Sequence, residues 1–219
     1  MRLKMKTLRK SVASELKDYH PQGVDMEFVD GPVDLSEEPS HSPFKGWWKA
    51  LDDRSKYDEL EMSLDRILDA LRERPVDAIV GFSQGAALAV MVAAILENTP
   101  ARSAAMAKQG YPLTFPDLPQ QPLKFVIAYS GFKGSPKYYN RFYKPRINTP
   151  ILHVSAKLDH MITPEESTRL VKSCRGAEVY VHPGGHWVPT DPKMVSLFSG
   201  FINRTVRRTM AEISACNPV

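Results

Sequence analysis

The sequence predicts an α/β fold, in which a doubly wound, mostly parallel sheet is covered by helices on both faces. Short apolar runs alternate along the chain with longer segments of helical periodicity. Some of these runs, such as residues 125–129, are apolar at consecutive positions, which is typical of strands that are buried on both faces of a parallel sheet. We therefore expect one domain that spans residues 1–219.

The individual elements follow from local apolar patterns and from the residues that end helices and strands. The first predicted helix carries apolar residues at steps of three or four: Met5, Leu8, Val12 and Leu16. Further helices are predicted at residues 57–71, 84–97, 164–172 and 195–207, and strands at residues 26–29, 78–82, 125–129, 151–154 and 178–181. Residues 31–55 are predicted to form a long structured loop, and residues 98–122, with five prolines, a surface excursion.

Composition and charge exclude several classes of protein. A content of 42% hydrophobic and 25% charged residues excludes disordered, collagen-like and coiled-coil chains. No apolar run reaches the roughly 18 residues of a membrane span, so we expect no membrane partner. Lys and Arg number 29 against 25 Asp and Glu, and the excess lies at the chain ends, which argues against a nucleic-acid partner. With only two cysteines, Cys174 and Cys216, the chain fits a reducing compartment, and we expect the cytoplasm.

Residues 81–85 read Gly-Phe-Ser-Gln-Gly and stand between an apolar strand and an apolar helix. In this context G-x-S-x-G indicates a nucleophile elbow, a strained turn that exposes the hydroxyl of Ser83. Gly81 and Gly85 are small enough to let strand and helix approach each other there. The backbone N–H of Gln84, at a helix N-terminus, would then bind the oxyanion of a tetrahedral intermediate. The alternative is a tight turn in which Ser83 only caps the helix.

A nucleophilic serine needs a base, and that base needs a carboxylate to orient it. Asp159 follows the predicted strand 151–154, and His182-Pro-Gly-Gly-His186 follows strand 178–181. The three residue types therefore lie at the carboxyl ends of parallel strands, where such sheets hold their sites. This placement and the order Ser, Asp, His predict Ser83 as nucleophile, His186 as base and Asp159 as the orienting acid.

Other side chains compete for these roles. His182 is the alternative base, but the two glycines before His186 make a flexible loop that favours His186. The gap between the two histidines would suit a metal pair on a helix, which Pro183 and the glycines forbid, so no metal is expected. His153, inside a predicted strand, is more typical of a core histidine. The alternative carboxylates are Asp77 and Asp191.

Short motifs spread over nearly the whole chain carry a resemblance to a known family. They are residues 28–32, Trp47-Trp48, residues 81–86, Ser130-Gly131-Phe132, Phe142-Tyr143, residues 149–153, Asp159 with Pro164, and residues 182–189. In this order they resemble the fungal family of serine hydrolases, to which the human ovarian tumour suppressor candidate hydrolase is related. The resemblance implies an α/β-hydrolase fold and an esterase or thioesterase of the cytoplasm or nucleus that needs no cofactor. It also implies a small-molecule or carrier-bound acyl substrate.

The start of the chain departs from that family. Its members begin with a strand and a glycine-containing loop, which donates the second N–H to the oxyanion, and only then reach the helix found first here. We therefore expect a hydrolase domain that is truncated at its N-terminus relative to the family. The alternative to an active enzyme is a pseudoenzyme or fragment, in which the three site residues persist beside an incomplete oxyanion hole.

Aromatic residues are candidates for an acyl-binding wall, because a hydrophobic surface beside the nucleophile suits an acyl chain. Trp187 is favoured because it adjoins His186. The alternative for each aromatic residue is that its side chain packs in the hydrophobic core and does not contact the substrate. The predicted substrate-binding residues are Trp187, Phe132, Trp47 and Trp48, and Phe44 is a further candidate.

Overall fold

The computed structural model describes residues 2–15, 17–18, 21–36, 45–51, 56–97, 100–108 and 120–216. The chain divides into two compact units. The smaller unit combines Met1–Phe28 with Trp187–Val219, and the larger unit is Val29–His186. Whether residues 1–219 act as a single hydrolase domain stays a prediction.

The secondary structure alternates between helices and strands, as predicted. In chain order the elements are α1 (Arg2–Glu15), β1 (Val33–Asp34), β2 (Lys45–Gly46), β3 (Lys49–Ala50), β4 (Tyr57–Asp58), α2 (Leu60–Glu73), β5 (Ala78–Phe82), α3 (Gln84–Leu96), α4 (Pro100–Lys108), β6 (Phe125–Tyr129), a 3₁₀ helix (Lys137–Tyr143), β7 (Ile151–Ala156), α5 (Pro164–Val171), β8 (Glu178–His182) and α6 (Pro192–Cys216).

A four-stranded parallel sheet forms the centre of the larger unit, with strand order β5-β6-β7-β8. In its register Gly81 lies beside Ala128, and Ala128 beside His153. All five residues of β6 are buried, which explains why this strand is apolar at every position. Because the strands are parallel, their carboxyl ends lie along one edge, and the predicted site residues follow three of these ends.

The helices of the larger unit bury apolar residues, and α3 and α5 pack on this sheet. α3 is apolar almost all round, and each of its residues from Ala86 onward is buried. It packs against β5 and β6. α2 is amphipathic and buries one side, formed by Leu60, Ser63, Leu64, Leu68 and Leu71. α5 begins with a capping box between Thr163 and Glu166.

The residues before α2 form two short antiparallel pairs and an aromatic stack. β1 pairs with β2, and β3 pairs with β4. The Trp48 and Tyr57 rings stack with centroids 5.0 Å apart, and the Tyr57 and Tyr139 rings stack at the same separation. The Tyr139 hydroxyl accepts the backbone N–H of Tyr57 at 2.8 Å. These contacts hold the region around Trp47 and Trp48 in a defined position.

In the smaller unit, α1 packs against α6. Met5, Leu8 and Val12 on α1 are buried, as the predicted apolar face requires. Phe198 and Phe201 on α6 are buried as well. Within the described part of the chain, no helix combines the length and the hydrophobicity needed to cross a bilayer.

The main differences from the sequence prediction concern residues 26–29 and the helices α2, α4 and α6. Residues 26–29 do not form a strand, so that prediction is wrong. Residues 100–108 of the expected surface excursion form α4. α2 begins at Leu60 rather than at Tyr57, because Tyr57 pairs in β4 and Glu59 takes a left-handed φ of 64° that precedes the helix. α6 runs from Pro192 to Cys216 and exceeds the predicted helix at both ends.

Candidate active site

The turn between β5 and α3 holds Ser83 in a strained backbone conformation. Its φ is 55° and its ψ is −121°, a region that residues other than glycine rarely adopt. A Cβ atom on Gly81 would stand 2.2 Å from the carbonyl oxygen of Gly85, so only glycine fits where strand and helix meet. The Ser83 N–H donates to the carbonyl of Tyr129 at 2.9 Å, which fixes the turn to β6. The geometry is that of the predicted elbow.

Hydrogen bonds connect Ser83, His186 and Asp159 in a chain. The distance from Ser83 Oγ to His186 Nε2 is 3.1 Å, and His186 Nδ1 lies 2.8 Å from Asp159 Oδ2. Ser83 lies 103 residues before His186, so the folding of the sheet brings them together. Both distances lie in the range of side-chain hydrogen bonds.

The Asp159 carboxylate is buried and surrounded by donors. Its Oδ1 accepts the backbone N–H groups of Met161 and Ile162, each at 2.9 Å. Burial alone would raise the pKa of this carboxyl, but hydrogen bonds from His186, the Ile162 N–H, the Ser130 hydroxyl and the Met161 N–H together hold it below its ordinary value. Asp159 is therefore ionised at neutral pH.

Neighbouring groups fix the position of the imidazole. The His186 ring packs on the ring of Phe82, with centroids 4.7 Å apart. Two backbone bonds join the loops that carry Asp159 and His186: the Lys157 N–H donates to the carbonyl of His182 at 2.8 Å, and the Leu158 N–H donates to that of Gly184 at 2.9 Å. The loop after β7 and the loop after β8 are thus held together.

Gln84 presents a backbone N–H beside Ser83 at the first residue of α3. Among the residues that the structure describes, no acceptor bonds this N–H. The Gln84 side chain is engaged elsewhere: its Oε1 accepts the N–H of Trp47 at 2.9 Å, and its Nε2 donates to the carbonyl of Trp48 at 3.2 Å. The amide is therefore available for a ligand while the carboxamide is occupied.

The predicted substrate-binding aromatics occupy different environments. Trp48 is 2% exposed and lies in the core, stacked on Tyr57. Phe132 is partly buried and meets the Trp48 ring edge-on at 6.1 Å. Trp47 is also partly buried and contacts Gly85 on α3. Trp187, 49% exposed, belongs to the smaller unit, and Phe44 lies outside the described residues. Their roles in binding stay predictions.

The rival residues make contacts of a different kind. His182 is buried, and its Nδ1 accepts the N–H of Gly184 at 3.2 Å. Asp77 forms an ion pair with Lys124 at 2.8 Å. Asp191 accepts the N–H of Met194 at the start of α6. In the described ranges no three His, Cys, Asp or Glu side chains are grouped in a way that could hold a metal ion.

Two side chains around the site were named within motifs in the sequence analysis but were given no role at the site. Ser130, at the end of β6, has a positive φ of 46° and a hydroxyl that bonds to Asp159. Phe82 supplies the ring beneath His186. The signal for Phe82 was its place before Ser83 in the elbow motif. For Ser130 the signal was a polar residue directly after an apolar strand, next in the sheet to the strand of Ser83.

A family model and several relatives match this chain. The model of the serine hydrolase (FSH1) family matches residues 1–198. Esterase OVCA2 of Danio rerio is 33% identical over 171 residues, which are 73% of this chain and 68% of that protein. A Schizosaccharomyces pombe protein named dihydrofolate reductase is 33% identical over 145 residues, 66% of this chain. Since this match covers only 29% of that protein, the chain spans less than a third of its length.

Solved structures show the same fold. The crystal structure of acyl-protein thioesterase 2 from Zea mays superposes with a TM-score of 0.53 at 16% identity, over 74% of this chain and 73% of that one. The predicted α/β-hydrolase fold is confirmed by this likeness and by the parallel sheet. Because the family model spans most of its length, the chain belongs to the serine hydrolase (FSH1) family.

Proposed function

We propose that this protein cleaves a carboxylic ester or thioester through an acyl-enzyme intermediate on Ser83. The observation that carries the proposal is the hydrogen-bonded chain from Ser83 through His186 to Asp159. Membership of a serine hydrolase family supports it independently of this geometry. In the proposed mechanism Ser83 is the nucleophile, His186 the general base and Asp159 the group that orients the base.

Acylation begins when His186 Nε2 takes the proton of the Ser83 hydroxyl. Ser83 Oγ then bonds to the acyl carbon, and the carbonyl oxygen becomes an oxyanion. The Gln84 N–H donates to this oxyanion, in a place where the helix N-terminus also favours negative charge. The intermediate collapses by breaking the bond to the leaving oxygen or sulfur, which receives the proton from His186.

Asp159 contributes by staying charged. Its lowered pKa keeps it ionised, so it accepts the Nδ1–H of His186 and leaves the Nε2 lone pair directed at Ser83. The same charge stabilises the imidazolium that forms when His186 holds the proton. Deacylation repeats these steps with water as the nucleophile and releases the carboxylic acid.

We propose an acyl group on a small molecule or a carrier as the substrate. A relative named an esterase supports this class, and a solved structure that shares the fold is named an acyl-protein thioesterase. The proposed reaction uses only protein side chains and water and needs no cofactor or metal. We also propose a cytoplasmic or nuclear location, on the cysteine content and the family resemblance. We propose no nucleic-acid partner, on the charge distribution, and no membrane partner, on the lack of a long apolar run.

Covalent labelling with a fluorophosphonate probe tests the proposal. The wild-type protein should be labelled and should hydrolyse a 4-nitrophenyl ester, whereas Ser83→Ala should do neither while keeping its circular dichroism spectrum. Ser173→Ala is the matched control, because its buried hydroxyl only donates to the carbonyl of Arg169, and it should be labelled like the wild type. Labelling that persists in Ser83→Ala would identify another nucleophile. Absence of wild-type labelling would favour the pseudoenzyme alternative.

A further inference from the structure

The Gln84 side chain joins the elbow to residues 45–50, which we call the tryptophan segment. Gln84 lies 37 residues after Trp47 in the sequence. Its carboxamide bonds to the backbone N–H of Trp47 at 2.9 Å and to the carbonyl of Trp48 at 3.2 Å. The backbone N–H of the same residue is the proposed oxyanion donor. One residue therefore connects the reacting centre to the tryptophan segment.

Further contacts hold the tryptophan segment in one position against the nucleophile elbow. A Cβ atom on Gly46 would lie 2.3 Å from Leu35 Cδ1 and 2.9 Å from Gln84 Oε1, so the backbone approaches Gln84 as closely as glycine allows. The Ser63 hydroxyl of α2 donates to the carbonyl of Trp47. The segment also contributes β2 and β3 to the two short strand pairs.

The indole of Trp47 lies against the first turn of α3. A Cβ atom added to Gly85 would stand 3.1 Å from Trp47 Nε1, and Gly85 is two residues from Ser83. Trp47 is only partly buried, unlike its neighbour Trp48, which belongs to the core. In the part of the chain that the structure describes, the Nε1–H of Trp47 has no acceptor. The indole thus presents an apolar ring and a hydrogen-bond donor beside the nucleophile.

We infer that Gln84 is a positioning residue that holds Trp47 against the elbow, and that Trp47 determines which acyl groups the site accepts. This inference rests on the proposed function, since an acyl group on Ser83 Oγ lies close to the elbow. The carboxamide accepts the N–H of Trp47 and donates to the carbonyl of Trp48. It thereby fixes the backbone before Trp47 and after Trp48, which restricts where the indole can lie. Loss of the carboxamide releases the indole, and the site then discriminates less between acyl chains.

A second glutamine provides a matched control. The Gln120 carboxamide accepts the N–H of Val76 and donates to its carbonyl, both at 2.8 Å. Val76 precedes β5, at the end of the strand opposite to Ser83. The Gln120 amide also donates to the carbonyl of Gln121 at 2.7 Å. Gln84→Met and Gln120→Met therefore each remove a carboxamide that accepts a backbone N–H and donates to backbone carbonyl oxygen. Only the former lies at the elbow.

The measurement is kcat and KM for 4-nitrophenyl esters of increasing acyl length. In Gln84→Met the ratio of kcat/KM between the best and the poorest ester should fall about tenfold, the size of effect that one methylene group has in a specificity pocket. In Gln120→Met this ratio should be unchanged. Both variants should lose thermal stability, because each loses hydrogen bonds to the backbone. An unchanged ratio in Gln84→Met, or an equal fall in both variants, would overturn the inference.

Gly85→Ala tests the same contact from the other side. The added methyl group meets Trp47 Nε1 at 3.1 Å and displaces the indole by a few tenths of an ångström, while the Gln84 carboxamide stays in place. The preferred acyl length should change in this variant, and an unchanged preference would contradict the inference even if Gln84→Met does not fold. Failure of the proposed function is distinguishable, because the wild-type protein would then neither hydrolyse the esters nor be labelled at Ser83.

Discussion

Gly81 and Gly85 meet so closely that no side chain fits between them. A Cβ atom on Gly81 would lie 2.2 Å from the carbonyl oxygen of Gly85 and 2.6 Å from the Cα of Ala86. Both neighbours are backbone atoms of a buried helix, so neither can turn away. This approach of β5 to α3 is what forces the turn at Ser83 into its positive φ of 55°.

Gly81→Ala should therefore destabilise the protein. We expect the free energy of unfolding to fall by about 2 kcal/mol or more, because the helix must shift to admit a methyl group. Urea denaturation measures this. Gly200→Ala in α6 is the control, since among the described residues its Cβ would meet the end of the flexible Arg204 side chain, at 3.3 Å. The control should be stabilised by up to about 1 kcal/mol through helix propensity. Equal stability of Gly81→Ala and wild type would contradict the close approach.

The two histidines at the end of β8 should differ in their effect on Ser83. His186→Ala should lower the rate of fluorophosphonate labelling nearly as far as Ser83→Ala does, because members of such a group act as a unit. His182→Ala removes the acceptor of the Gly184 N–H, and we expect it to lose stability but to keep labelling. Labelling is measured well below the unfolding temperature of each variant. If His182→Ala proves as damaging as His186→Ala, the base is wrongly assigned.

The sequence was sufficient to predict the four parallel strands and to select Ser83, Asp159 and His186 as candidates, because the signals for both are local. Strands buried on both faces appear as continuous apolar runs, and β6 was predicted with the bounds that the structure shows. Residues 26–29 are also apolar except for Glu27, but a strand needs a partner, and pairing is not visible in the sequence of one segment. The contact between Gln84 and Trp47 was missed for the same reason, since 37 residues separate them.

Tyr129→Phe should leave stability unchanged or raise it by about 1 kcal/mol, because a buried hydroxyl without a partner opposes folding. Tyr129 is 1% exposed, and among the described residues its hydroxyl has no hydrogen-bond partner. Burial raises its pKa. Tyr143→Phe is the control, since that hydroxyl accepts the N–H of Gly134 at 3.0 Å and its loss should destabilise the protein. Equal destabilisation in both variants would indicate an acceptor for Tyr129.

His153 should make stability depend on pH. It lies inside β7 with 4% of its surface exposed, and burial lowers its pKa from 6.5 to about 4 in the folded protein. Above pH 6.5 the imidazole is neutral in both states and has no effect. Between pH 6.5 and pH 4 the unfolded chain binds a proton that the folded protein does not, so stability falls as the pH falls.

His153→Leu isolates this effect. The difference in unfolding free energy between wild type and variant should change by about 2 kcal/mol from pH 7 to pH 5, in favour of the variant at the lower pH. Urea denaturation at pH 7, 6 and 5 measures it, and the other titrating groups are common to both proteins. Parallel curves, separated by a constant offset from packing alone, would mean that His153 binds a proton equally well in the folded and unfolded states, at odds with its burial in the sheet.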